Sequence, residues 1–281
     1  MRSHSAYLLV SHGSRDPRPQ KAAERLAQLF CEEIHDVRGI NTRDRTLIPT
    51  SWHSNSQVLL AVQTSNRVGR LAQNCDRHGF RPLVGTAVLE FGLLALPEQI
   101  QQFAQKALTA GYHHVQILPL FLLPGVHVMT DIPTIVASAQ HLLGSQIALH
   151  LRPYLGSHPR LIRLLVCQTW NRFDNNRILL AHGSRRIGGN APVEAMAASL
   201  GARVAFWATP PSLRSQIEVL IQQGSKQITI LPYFLFSGGI LDAIVHTVTN
   251  FSQQFPETKF TLAPPLAANP DLASLVVDLS L

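Results

Sequence analysis

Three side chains able to bind a cation or accept a proton stand in similar settings in the first half of the chain: His12, Glu90 and His127. His12 follows the apolar run Tyr7 to Ser11 and precedes Gly13, Ser14, Arg15, Asp16 and Pro17. Glu90 closes a run that starts at Leu83, and His127 follows the run Val115 to Leu123 by way of Pro124, Gly125 and Val126. Two neutral imidazoles and one carboxylate make a ligand set for a divalent first-row metal. Glu90 or one of the imidazoles can also act as a proton acceptor if its pKa is near the working pH. A histidine beyond a single strand is more often a structural hydrogen-bond donor, so the argument rests on the setting that the three share.

That setting is set by the elements around them. Leu8, Leu9 and Val10 read as a strand buried on both faces, which places His12 at its carboxyl end, where open α/β sheets keep their ligands. Asp16 can cap a following helix and Pro17 suits its first position. Gly13 to Arg15 then form a tight turn whose amides are open to an anion. Glu90 and His127 also follow predicted strands, so all three side chains are expected at one edge of one sheet.

The motif recurs. Ile178 to Arg185 restates it around His182, Ile230 to Gly238 restates Ile117 to Gly125, and Ala263 to Pro270 restates Arg152 to Pro159 more faintly. Three matches in one order indicate duplication into two similar α/β halves. The second half keeps His182, but Ile240 falls opposite His127, and the stretch Phe206 to Pro210 carries no acid opposite Glu90. A working site is therefore expected in the first half only, with His182 supporting the fold by holding its turn.

Taken in order, Ala22 to Phe30 recur at helical spacing that fades near Cys31. A basic insertion over about 35–81 follows, with no counterpart in the second half. It reads as a solvated excursion, or alternatively as a basic flap over the site. Next come a strand ending at Glu90, a helix from Pro97 closed by Gly111, a strand over Val115 to Leu123, a helix over Ile135 to Leu143, and a strand over 146–151. This regular alternation implies parallel sheets with right-handed crossovers. A linking helix over Pro159 to Trp170 breaks at Asp174 to Asn176. Strands over Ile178 to Ala181, Arg203 to Ala208, Gln227 to Phe236 and Lys259 to Ala263 follow, with helices over Ala191 to Leu200 and Leu213 to Ile221 and a terminal helix from Leu272. The expected organisation is an N-terminal domain over 1–152, a linker over 153–176 and a C-terminal domain with a degenerate site over 177–281. Each domain would be a parallel sheet of about four strands flanked by helices.

With 281 residues, 46% apolar and 15% charged, the chain has material for two ordinary cores. The formal charge of +7 favours an anionic partner. Nucleic acid is not indicated, because the aromatics sit in apolar runs and do not alternate with Lys and Arg. Cys31, Cys75 and Cys167 are few and scattered, which argues against a disulfide framework and for reduced thiols in the cytoplasm. No apolar run is long enough for a membrane helix, and no signal peptide is evident. His113 and His114 read as surface residues, and His141, His150 and His246 as histidines without partners. An apolar domain interface looks like an apolar dimer interface in sequence, so a monomer is compatible with the chain but not established by it.

The stretches Ser11 to Arg18, Gly85 to Phe91, and Leu118 to Val128 with Asp131, Ile132 and Pro133 resemble, in that order, the sirohydrochlorin chelatase family. This is the CbiX and SirB group of class II tetrapyrrole chelatases. The resemblance covers both halves apart from the insertion. It implies two α/β domains around a cleft, and a lyase that inserts Co2+ or Fe2+ into sirohydrochlorin for cobalamin or sirohaem, with no ATP and no organic cofactor. It also implies that His12 and His127 are the active-site histidines and Glu90 the acid, with ligand and base not told apart. A substrate bearing many carboxylates would be drawn to the positive protein. Gly13, Ser14, Arg15 and Gly125 are the expected contacts, through the two glycine amides, the hydroxyl and the guanidinium. For Ser14 and Arg15, turn-stabilising hydrogen bonds are the competing reading. Two other functions share these residues: a metal or tetrapyrrole carrier that needs no base, and a histidine phosphatase, disfavoured because Ser11 stands where an arginine is needed.

Overall fold

The computed structural model describes residues 5–40, 82–167 and 176–281. The first half runs β1 (Ser5–Ser11), α1 (Pro17–Ile40), β2 (Val84–Val88), α2 (Leu96–Thr109), β3 (His114–Pro119), a π-helical turn (His127–Asp131), α3 (Ile132–Leu143) and β4 (Ala148–Leu151). α4 (Leu161–Cys167) connects to the second half. There the order is β5 (Arg177–Ala181), α5 (Ala191–Ser199), β6 (Arg203–Phe206), α6 (Leu213–Gln222), β7 (Gln227–Pro232), α7 (Gly239–Gln254), β8 (Lys259–Leu262) and α8 (Leu272–Ser280). The strands form two four-stranded parallel sheets of order β2-β1-β3-β4 and β6-β5-β7-β8. The expected duplicated α/β architecture, a parallel four-stranded sheet flanked by helices in each half, is thus observed.

Strand order follows from side-chain character. Every residue of β1 is buried, as a central parallel strand requires, whereas the edge strands β2 and β4 are mostly half-buried. The chain passes from β1 to β2 on one side and returns to β3 on the other. α1 covers one face of the sheet through Leu26, Phe30 and Ile34. α2 and α3 cover the opposite face through Ile100, Ala104, Ile132 and Val136. Helices leaving β1 and β3 toward opposite faces open a crevice at the carboxyl ends of those two strands, and this is the place where such sheets take ligands.

The two halves share a core. Tyr7, Leu9 and Phe30 from the first half join Leu179, Leu231 and Val276 from the second in one buried cluster. α8, expected with the C-terminal domain, packs on α1 and β3 of the first half. Arg152 Nε donates to the Leu279 carbonyl at 2.8 Å.

The strands expected over Val115 to Leu123 and Gln227 to Phe236 end earlier, at Pro119 and Pro232, and three helix expectations also need correction. α1 continues beyond Cys31 to Ile40 because Ile34, fully buried, extends the apolar stripe one turn past Phe30. α3 begins at Ile132, before Ile135, and the π-helical turn leads into it. α7, sixteen residues long, has no stated bounds among the expected helices, although Leu241, Ile244, Val248 and Phe251 mark its buried face. Most of the expected insertion, residues 41–81, and the break in the link at 174–175 lie outside the described residues.

Candidate active site

His12 is the first residue past β1 and is exposed. The parallel ladder continues beyond the strand ends: the Leu89 amide donates to the Ser11 carbonyl at 2.9 Å and the Glu90 amide to the His12 carbonyl at 2.8 Å. Gly13, at φ +92°, lies directly against this second turn. A Cβ placed on it would come within 1.9 Å of the Glu90 carbonyl oxygen. Only glycine lets the two loops approach this closely. Asp16 caps α1 by accepting the Arg18 amide at 2.9 Å, as expected. The Ser14 hydroxyl accepts the Asp16 amide at 3.0 Å and so serves the turn.

Glu90 is exposed, and Phe91 beside it holds a left-handed φ of 59°. Such a conformation is costly for an aromatic residue and turns the chain sharply after the carboxylate. The Arg15 guanidinium lies over the Phe91 ring, 5.4 Å from its centroid, so it stacks at the rim and does not brace the turn.

His127 opens the π-helical turn. Its Nδ1 sits 2.7 Å from Oδ2 of Asp131, one turn downstream. A neutral His127 that donates Nδ1–H to this carboxylate keeps the Nε2 lone pair for an ion, the usual arrangement of a metal-binding histidine. Asp131 lay within the family-like motif but was not singled out; its i,i+4 spacing from His127 was the available signal. The Gly125 amide is not free for substrate: it donates to the Leu123 carbonyl at 2.9 Å. The Gly125 carbonyl receives the amides of Val128 and Met129 and starts the turn.

The three predicted residues come together. One ligand atom from each of His12, Glu90 and His127 lies within 4.8 Å of the others. The imidazole rings of His12 and His127 meet edge to face, centroids 5.1 Å apart at 78°. Phe121 stands 6.4 Å from both and backs them with an apolar ring. Ligands of one tetrahedral ion lie about 3.4 Å apart at metal bonds of about 2.1 Å, so gripping an ion requires small side-chain rotations. The set is sparse and open.

A cleft of about 560 Å³ lies between the halves at these strand ends. His12, Gly13, Ser14, Gly125 and His127 line its first-half side, whereas Glu90 and Arg15 are outside the lining, at the rim. Tyr233 closes the floor from the second half and donates its hydroxyl to the Leu122 carbonyl at 3.2 Å. Burial, with Tyr154 adding to it, pushes the Tyr233 phenol well above its usual range, so it stays neutral. A second groove, of about 640 Å³ between α1 and β2, has no imidazole among the described residues that line it.

The second half repeats the frame without the full set. The Ala208 amide donates to the His182 carbonyl at 2.8 Å, which puts Ala208 where the first half has Glu90. His182 does not hold its turn as expected. It is exposed, lines the same cleft, and its imidazole has no hydrogen-bond partner among the described residues. Elsewhere, at the amino-terminal edge of the first sheet, His114 Nδ1 and His150 Nε2 are 3.0 Å apart, so this pair is partnered after all.

The sirohydrochlorin cobaltochelatase of Priestia megaterium is 23% identical over 210 residues, spanning 69% of this chain and 67% of that protein. The structure of SirB from Bacillus subtilis with Fe3+ matches with a TM-score of 0.67 at 17% identity, covering 98% of this chain and 94% of that one. Sirohydrochlorin chelatase SirB from Bacillus subtilis subspecies spizizenii in complex with cobalt matches with a TM-score of 0.61 at 18% identity, covering 99% and 94%. The CbiX family model matches residues 62–169 and again 176–280, one copy in each half. His12 precedes the first matched segment, and its counterpart His182 falls inside the second. With both halves matched over most of the chain, the protein belongs to the CbiX family.

Proposed function

We propose that the chain is a sirohydrochlorin chelatase, a lyase that inserts Co2+ or Fe2+ into the tetrapyrrole without ATP, for cobalamin or sirohaem synthesis in the cytoplasm. The observation that carries this reading is the convergence of His12, Glu90 and His127 ligand atoms within 4.8 Å at the edge of an interdomain cleft. No helix among the described residues is long and apolar enough to cross a membrane.

In this reading His12 and His127 take the hydrated ion through their free imidazole lone pairs and displace part of its water. Asp131 holds the His127 ring and fixes which nitrogen faces the ion. Glu90 supplies a negative charge that offsets part of the ion's own. A ligand set this small holds the ion without outcompeting four ring nitrogens, so transfer is downhill. The second oxygen of the Glu90 carboxylate can accept a pyrrole proton as the ion passes to the ring. The apolar body of the ring meets Phe121, Leu123, Val128, Phe236 and Ile240, which line the cleft. Its carboxylates meet Arg15 at the rim and the Gly13 and Ser14 turn, helped by the net positive charge.

Nitrogen-rich sites rank Fe2+ below Co2+ by a modest margin, so supply decides between them. The test is anaerobic incubation of the protein with sirohydrochlorin and each ion, followed by the visible bands of the macrocycle. Acceleration over the protein-free reaction, lost in His12→Ala and His127→Ala, is expected. Binding of ion and ring without acceleration would make the chain a carrier.

A further inference from the structure

We propose that His182, on the second-half side of the cleft, is a proton acceptor for the pyrrole N–H groups on the face of the macrocycle turned away from the metal. The inference rests on the chelatase reading above and adds a residue to it. His12 and His127 belong to the first half, His182 to the second, and all three line one cavity of about 560 Å³. A flat ring held between the halves turns one face to each. An ion entering from the His12 and His127 side repels the positive ends of the N–H dipoles, which tilt toward the other face, where His182 stands.

The proton balance calls for such a group. Two N–H bonds break and their electron pairs become two N–metal bonds. Two protons must therefore be accepted while the ion sheds its protein and water ligands. A neutral imidazole has one lone pair, so His12 and His127 cannot take a proton while they hold the ion. Glu90 differs from them in keeping a second carboxylate oxygen beside the one turned to the ion, so it can accept one proton while the transfer is under way. Of the remaining titratable groups lining the cleft, Tyr233 is a neutral phenol that already donates to Leu122. His182 is exposed, lines the cavity and has no hydrogen-bond partner among the described residues, so its lone pair is free to take the second proton. The second half lacks counterparts of Glu90 and His127, having Ala208 and Ile240 in their places. Among the described residues His182 thus belongs to no group of ligands able to build a second metal centre, which suits a lone base better than a ligand.

Single-turnover metallation by Co2+ under anaerobic conditions tests this in wild type, His182→Gln and His182→Ala, with Co2+ binding measured separately by its absorption bands. The metallation rate is expected to fall about 100-fold in both variants, while Co2+ affinity stays at the wild-type value. Added imidazole, with free Co2+ held constant, should restore His182→Ala but not His12→Ala. A wild-type rate in His182→Gln, a parallel loss of Co2+ binding, or the absence of rescue overturns the assignment and leaves the chelatase reading standing. A wild-type protein that metallates nothing overturns that reading, and this one with it.

Discussion

Nδ1 of His127 and Oδ2 of Asp131 face each other at 2.7 Å across one π-helical turn, and this pair fixes which ring nitrogen of His127 is offered to the cleft. π-helical turns recur at functional sites because the extra residue re-aims a side chain. Asp131→Asn keeps the shape but exchanges a carboxylate for an amide. Co2+ affinity should fall about 10-fold to 100-fold, measured by titration of the Co2+ absorption bands, with little change in thermal stability because both side chains are more than a third exposed. Unchanged affinity would show that the pair does not serve the ion.

Gly13→Ala should damage both stability and activity. The added methyl meets the Glu90 carbonyl at 1.9 Å, at a φ of +92° that disfavours any side chain. A cost of about 2 to 4 kcal/mol is expected from combined overlap and backbone strain. Gly111 has φ +83° but nothing within 4 Å of a Cβ, so Gly111→Ala should cost only about 1 kcal/mol. Urea melts of the two variants read the difference, and equal losses would mean that the contact with the Glu90 loop is not tight.

Arg18 ties the first half to the second. Its Nη1 donates to Asp242 Oδ1 at 2.9 Å and its Nε to Asp16 Oδ2 at 3.0 Å. Side-chain hydrogen bonds from Arg18 hold the carboxyls of Asp16 and Asp242 below the usual value of 3.8. A depressed carboxylate stabilises the folded state above its unfolded pKa, and the contribution disappears as pH falls through the folded value. Arg18→Ala should therefore lower Tm slightly at pH 7 and not at all in the most acidic range where the protein still folds. Added salt should also shrink the difference, since Arg18 and Asp242 are exposed. A difference that persists in acid would assign the effect to packing of the Arg18 stem.

The shared core predicts cooperative unfolding. Leu275 of α8, 1% exposed, lies in the cluster that joins the halves. Leu275→Ala should cost about 2 to 5 kcal/mol and shift one calorimetric transition as a whole. Two transitions, only one of them moved, would show that the halves unfold independently.

Much of this was legible in the sequence, for identifiable reasons. Buried parallel strands such as β1 and β5 are continuous apolar runs, and the repeat around His12 and His182 gave the duplication without any single motif bearing the weight. Strand-end position then brought together His12, Glu90 and His127, residues remote in sequence. The π-helical turn was hidden because its defining hydrogen bond, from the Ile132 amide to the His127 carbonyl, leaves no mark on apolar periodicity. The crossing of α8 onto α1 was hidden because an amphipathic helix does not state which half it will cover. α7 was different: its buried stripe and its repeat partner α3 were both available, and the repeat should have required it. The role expected for His182 failed because turn-holding was inferred from a lost site, whereas the imidazole remained directed to the cleft that the two halves jointly build.

The central claim is that His12, Glu90 and His127 form one metal-binding site at the cleft, and Co2+ titration of the purified protein tests it most directly. Wild type should take up Co2+ at a site whose affinity falls at least tenfold in His12→Ala and in His127→Ala, with no further loss in the double variant beyond residual binding. Wild-type affinity in both single variants, or independent and additive losses from two separable Co2+ signals, would contradict it.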